Sequence, residues 1–178
     1  MKKSLFAIAL LAVFASAAAA QVSSNVQQVK LVAVVPEYLT LDQPSAPVVN
    51  FAITPMNIGN TLGDTAPSFN TNWSLKPGRN VTICAYLSGP LTGSDTNNKE
   101  TIGTGAILAK WSSTGTFAPF DGNTACAMGS GLVISTTAVT SATHTYTALS
   151  TVYLAIAGPQ AKFPDTYNGI LNFVAQAQ

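Results

Sequence analysis

Few residues in this chain could perform acid–base or nucleophilic chemistry. His144 is the single histidine among 178 residues, so a Ser–His–Asp triad would depend on it alone. It stands between Thr143 and Thr145, which is typical of an exposed strand or turn position, and no Gly-x-Ser-x-Gly motif accompanies it. These surroundings favour an ordinary surface histidine over a hydrolase centre.

The acidic residues are the other candidates for catalysis, because glycoside hydrolysis uses a pair of carboxyl groups. They are Glu37, Asp42, Asp64, Asp95, Glu100, Asp121 and Asp165. Nearly all lie beside turn-forming residues, where aspartate is favoured because its side chain hydrogen-bonds nearby backbone N–H groups. The run 95–100 is the best candidate for calcium, but Lys99 opposes a cation and the EF-hand glycine is lacking. The sequence therefore predicts no enzymatic activity, no metal site and no cofactor.

Cys84 and Cys126 are the only cysteines, and neither has a histidine or a Cys-x-x-Cys partner nearby. In an oxidising compartment such a pair forms a disulfide, and we expect one here. Closing a loop of about 43 residues would stabilise the fold by about 4 kcal/mol in the chain-entropy account.

Aromatic residues offer one candidate for ligand binding. Trp111, Phe117 and Phe120 cluster around Pro119 and could form a surface patch for a sugar. The alternative is that they belong to the core, as aromatic residues at strand positions usually do.

The N-terminus has the three parts of a secretory signal peptide. Lys2 and Lys3 open it, an apolar run of about ten residues follows, and three alanines precede Gln21. We predict that residues 1–20 are a signal peptide and that residues 21–178 form one domain. Such a protein would cross the periplasm and reach the cell surface or the medium. The apolar run is shorter than the about 20 residues that a spanning helix needs, so we predict no membrane span.

Charge is sparse in the predicted exported chain. Of eight basic residues, Lys2 and Lys3 lie in the signal, which leaves six against seven acidic residues. No basic stripe is present to release counterions from nucleic acid, so nucleic-acid binding is excluded. A neutral surface rich in hydroxyl groups gives little repulsion between copies, which favours self-association.

Strand patterns dominate the exported chain, and no segment keeps helical spacing of apolar residues over three turns. The runs rich in β-branched and aromatic residues are 29–35, 48–54, 71–75, 81–87, 105–111, 132–139, 151–157 and 166–175. Pro77-Gly78 predicts a turn that joins the third and fourth runs in a hairpin. In the last run, Tyr167, Gly169, Leu171, Phe173 and Ala175 fall on one face, which predicts a core-facing strand. The sequence predicts an all-β fold, a single sandwich of about eight or nine mostly antiparallel strands.

Three stretches of this chain, 34–41, 73–79 and 164–171, carry a resemblance to known families. Their layout resembles small secreted β-sandwich proteins of bacterial surfaces, and more loosely the spore-coat-U-like and chaperone–usher pilin subunits. The stretch Pro164-Asp165-Thr166-Tyr167-Asn168-Gly169-Ile170-Leu171 is similar to the segment that begins the terminal strand in those families. The resemblance implies an immunoglobulin-like sandwich that assembles into a fibre by β-strand addition, with a periplasmic chaperone and an usher as partners.

On this resemblance, residues 21–35 would donate a strand to a neighbouring copy. The side chains that would alternate toward the neighbour's core are Val29, Leu31, Ala33 and Val35. Residues 21–28 are mostly polar, and the penultimate tyrosine of usher pilins is lacking. The alternative is that residues 29–35 are the first strand of a complete sandwich.

Two functions follow from these predictions. The first is a structural subunit of an extracellular fibre or pilus. The alternative is a monomeric carbohydrate-binding or adhesive module that uses the region from Trp111 to Phe120.

Overall fold

The computed structural model describes residues 28–54, 59–120 and 132–178. The predicted signal peptide and Cys126 lie outside these residues. The chain divides into two units, Met1–Val35 and Pro36–Gln178. In the first unit, residues 28–35 form no strand and their side chains are exposed.

The second unit is built from β-strands within the described ranges, apart from one 3-10 turn at Thr104–Ala106. The strands are β1 (Tyr38–Leu41), β2 (Thr61–Leu62), β3 (Ser68–Ser74), β4 (Asn80–Leu87), β5 (Leu91–Gly93), β6 (Thr101–Ile102), β7 (Ile107–Lys110), β8 (Ala118–Pro119), β9 (Leu132–Ala138), β10 (Thr145–Thr151), β11 (Tyr153–Ile156), β12 (Tyr167–Asn168) and β13 (Leu171–Ala177). Every pairing between them is antiparallel. The predicted all-β, antiparallel class is confirmed. Four of the strands have only two residues, which explains why more strands are found than the sequence predicted.

The strands form four sheets, with the orders β1-β3-β10, β2-β11-β7-β8, β12-β5-β6 and β13-β4-β9. All four sheets contribute side chains to one hydrophobic cluster, here called the main core. Its largest contributors include Phe69, Ile83, Leu91, Ile102, Ile107 and Leu154. A second cluster surrounds Trp73, whose indole N–H donates to the carbonyl oxygen of Thr143 at 2.9 Å.

The predicted hairpin between the third and fourth runs is wrong. β3 pairs with β1 and β10, whereas β4 pairs with β9 and β13. Gly78 has a φ of +97°, as a tight turn requires. However, Leu75 N–H donates to the His144 carbonyl and Gly78 N–H to the Val139 carbonyl, both at 2.8 Å. The turn residues therefore pair with the β9–β10 connection and not with each other. At this turn the chain passes from the sheet of β3 to the sheet of β4.

The predicted terminal strand is divided in two. β12 pairs with β5, and β13 pairs with β4 in a different sheet. The predicted core face is confirmed for Tyr167, Leu171, Phe173 and Ala175, which all pack against the main core. Every residue of β13 is only half-buried. In β3, which lies in the middle of its sheet, half-buried and fully buried residues alternate.

Candidate functional site

A cavity of about 940 Å³ lies beside β13, and we call it the groove. Its floor consists of aliphatic residues of the main core, namely Leu87, Leu91, Ile102, Ile107, Leu154 and Ile156. Each is at most 8% exposed, so the groove reaches down to the interior of the protein. A cavity of this size is within the range of ligand-binding sites, and its floor can contact apolar groups only.

One wall of the groove is the first half of β13. Leu171 and Phe173 line it, and the Phe173 ring lies 4.7 Å from the Phe69 ring between centroids. β13 is the terminal strand of its sheet and is paired with β4. At its other end, Ala177 packs beside Leu39 of β1 against the Trp73 cluster. β1 therefore lies close to the end of β13, and the groove borders its beginning.

A further part of the lining comes from the segment 47–54, which we call the strap. The strap includes the run 48–54, which the sequence predicted to be a strand, but this segment forms no strand in the structure. Val49, Phe51 and Ile53 are half-buried and pack against the main core. Asn50 holds the strap to Asp64, since its backbone N–H and its side-chain amide donate to the two carboxylate oxygens, each at 2.9 Å. These hydrogen bonds, from the Asn50 side chain first, hold the pKa of Asp64 below its usual value.

The rim of the groove carries exposed apolar side chains, Phe163 at 66% and Ile170 at 64%. A polar network fixes this stretch of chain. The Asn98 amide donates to Asp165 at 2.8 Å and thereby lowers the pKa of that carboxyl. Glu100 accepts the backbone N–H of Phe163, also at 2.8 Å. Both carboxylates serve to shape the rim.

The residues predicted to donate a strand are all exposed. They lie in residues 28–35, where Val29, Leu31 and Val35 are 82%, 90% and 83% exposed. Ala33 is also exposed, as are Val32 and Val34. A run of apolar side chains on both faces is therefore presented to solvent.

The predicted aromatic ligand patch does not form one surface. Phe120 is completely buried in the main core, so it cannot contact a surface ligand. Trp111 packs against the same core and is half-buried. Phe117 lies under the Lys110 ammonium, 4.9 Å from the ring centroid, which is a cation–π contact. Phe120 is therefore not accessible to a ligand, whereas Trp111 and Phe117 are half-buried.

The candidate catalytic residues have structural partners. His144 is exposed, and its Nδ1 lies 2.7 Å from the Ser141 carbonyl oxygen. Glu37 accepts the Lys76 backbone N–H at 2.7 Å and forms an ion pair with Arg79 at 3.0 Å, which together lower its pKa. Among the residues that the structure describes, no three His, Cys, Asp or Glu side chains are placed to hold a metal ion. Asp121 lies outside those residues.

Cys84 is buried in β4, at 4% exposure. Its predicted disulfide partner, Cys126, is outside the described residues, so the pairing remains a prediction. In the described ranges, the structure contains no helix with the length and apolar character needed to cross a bilayer.

Searches of protein-family models, curated proteins and solved structures find no match to this chain. The groove and the exposed apolar segment are therefore the two features of the molecule that point to a function. The sequence pattern pointed to the segment, through its alternation, but it contained no signal for the groove.

Proposed function

We propose that this chain is a secreted structural subunit of an extracellular surface fibre or pilus, with an immunoglobulin-like sandwich that assembles by β-strand addition. The observation that carries the proposal is the groove, because its floor is the main core and its wall is the terminal strand of a sheet. In β-strand addition, backbone hydrogen bonds to an edge strand supply affinity, and pockets for alternate side chains supply specificity. We infer that the edge position of β13 and the apolar floor of the groove would supply these two kinds of contact to an incoming strand.

The strand that enters would be residues 29–35 of the next copy. Val29, Leu31, Ala33 and Val35 share one face of an extended chain, and Lys30 lies on the other, so the first face is wholly apolar. Seven extended residues span about 23 Å at about 3.3 Å per residue, which is long enough to cover the first half of β13, where the groove lies. Burial of one exposed valine or leucine side chain contributes about 1.5–3 kcal/mol, so burial of this segment in the groove would stabilise the association of two copies.

The low content of charged residues also supports assembly. Only 8% of the residues are charged, so repulsion between neighbouring copies is weak. The exposed apolar rim of the groove and the exposed apolar segment also favour uncontrolled association before export is complete. A periplasmic chaperone that covers the groove, and an usher that orders assembly, are the partners that this function requires.

Deleting residues 21–35 from the exported chain tests the proposal. We expect electron microscopy to show filaments for the full exported chain and none for the deletion, since the donor is gone. Added to the full chain, the deletion variant keeps its groove and should shorten the filaments by ending them. A control that lacks only the mostly polar residues 21–28 should still polymerise. Filaments from the 21–35 deletion, or a full chain that stays monomeric at high concentration and on the cell surface, would refute the function.

A further inference from the structure

The groove has a partial occupant from its own chain, which is the strap. Its side chains alternate between the half-buried Val49, Phe51 and Ile53 and the exposed Asn50 and Ala52. The half-buried set lines the groove and packs against the main core. Such alternation is the period-two pattern of a sheet strand, and residues 29–35 offer one wholly apolar face of the same kind in Val29, Leu31, Ala33 and Val35. The two segments are therefore suited to the same apolar surface.

The attachment of the strap is local. It consists of the two bonds to the Asp64 carboxylate, a third from Asp64 N–H to the Asn50 carbonyl at 3.0 Å, and one from the Thr65 hydroxyl to the Val48 carbonyl at 3.4 Å. β13, by contrast, is paired with β4 along all seven of its residues. A segment held mainly at one point opens at lower cost than a strand held along its length.

Gly63 permits the close approach of the strap. A Cβ atom at this position would lie 2.5 Å from Cγ1 of Val49 and 3.4 Å from Cε1 of Phe51. Valine is stiff about χ1, so it cannot rotate away at low cost. Any side chain at position 63 would therefore push the strap outward, without removing a hydrogen-bonding group.

We propose that the strap is a displaceable cover of the groove. In the separate subunit, Val49, Phe51 and Ile53 contact core surface that the incoming residues 29–35 of the next copy require, and assembly releases the strap. The inference rests on the proposed function, since the next copy is what displaces it. The incoming strand prevails because it adds backbone hydrogen bonds to β13, which the strap does not make.

The probe is a fluorescent peptide with the sequence of residues 28–36, and its binding to the full exported chain is measured. Leu31→Glu in that chain disables its own segment as a donor. Asp64→Ala removes the two carboxylate bonds to Asn50 and keeps the backbone bond from residue 64, so it weakens the attachment of the strap. Gly63→Ala pushes the strap outward by steric contact. Asp42→Ala is the matched control, because it removes an exposed carboxylate that accepts from the Asn72 amide at 3.0 Å and does not bind the strap.

Stopped-flow anisotropy gives the association rate and the affinity. If the open form is populated at about 10%, loosening the strap raises the apparent affinity by up to about tenfold. We expect this rise for Asp64→Ala and Gly63→Ala, and none for Asp42→Ala. Unchanged or weaker binding in the two strap variants would show that the strap is a fixed wall. No peptide binding to any chain, the Leu31→Glu background included, would refute the proposed function itself.

A second measurement needs no strap variant and covers the case in which those variants do not fold. Chymotrypsin cleaves after Phe51, which is half-buried in the strap. We expect saturating peptide to accelerate this cut in the Leu31→Glu chain, because the strap is released. Equal or slower cleavage with bound peptide would overturn displacement while leaving strand addition intact.

Discussion

Shortening one side chain in residues 29–35 tests which face of this segment enters a neighbour's groove. Leu31 and Val32 are adjacent and apolar, and both are exposed, at 90% and 72%. Successive side chains of a strand point to opposite faces, so only one of the two can enter the groove. Lys30 shares the face of Val32. We therefore expect Leu31 to be buried on assembly and Val32 to remain at the surface.

The magnitude follows from the exposure of Leu31 before assembly. Because this side chain is almost entirely in water, its full burial contributes to association, at about 1.5–3 kcal/mol. Leu31→Ala removes most of this contribution and leaves a cavity in the groove, so the free energy of association weakens by about 2 kcal/mol or more. At about 1.4 kcal/mol per factor of ten, the critical concentration for filaments rises about 30-fold. Val32→Ala changes an exposed position, so its effect stays within about 0.5 kcal/mol, or about twofold.

Sedimentation of filaments across a concentration series measures the critical concentration of each variant. Urea denaturation of the separate subunits is the control, and the free energy of unfolding should be the same for both variants because both side chains are exposed. Equal critical concentrations for Leu31→Ala and Val32→Ala, or a larger effect at Val32, would refute the assignment of faces.

Two further predictions concern the fold. Thr71→Val should raise the free energy of unfolding in urea by about 1 kcal/mol, since the buried Thr71 hydroxyl has no hydrogen-bond partner among the described residues; a decrease would contradict this. Hydrogen bonds from neighbouring N–H groups lower the pKa values of Glu37, Asp64 and Asp165 in the folded protein. Their contribution to stability is therefore present above about pH 4 and is lost as the pH falls through the lowered pKa values. The urea midpoint should decrease as the pH is lowered from about 6 to about 2. A midpoint that does not change with pH would count against these interactions.

The class of fold was predictable because it depends on local composition. Runs of β-branched residues between turn residues indicated strands, and period-two alternation identified the core-facing side chains of 167–175. The hairpin prediction failed because Pro77-Gly78 specifies a turn and carries no information on which sheet receives the next strand. Hydrogen bonds from the turn residues to the β9–β10 connection decide that, and they join residues far apart in sequence.

The candidate site was predictable only on the donor side. The apolar face at 29–35 is visible in the sequence, whereas the groove is lined by segments far apart in sequence, which only the folded topology brings together. The strap has the same alternation as a strand, so the sequence could not distinguish the two. Phe120 and Trp111 likewise appear alike in sequence, but only Phe120 is completely buried.

A cross-link between residue 31 of one copy and β13 of another tests strand addition most directly. A photoreactive leucine analogue at position 31, in filaments of mixed ¹⁵N-labelled and unlabelled chains, separates links between copies from links within a copy. We predict links that join labelled to unlabelled chains and that end on residues 171–175. Links within one chain, or links to the edge strand β10, would contradict the account.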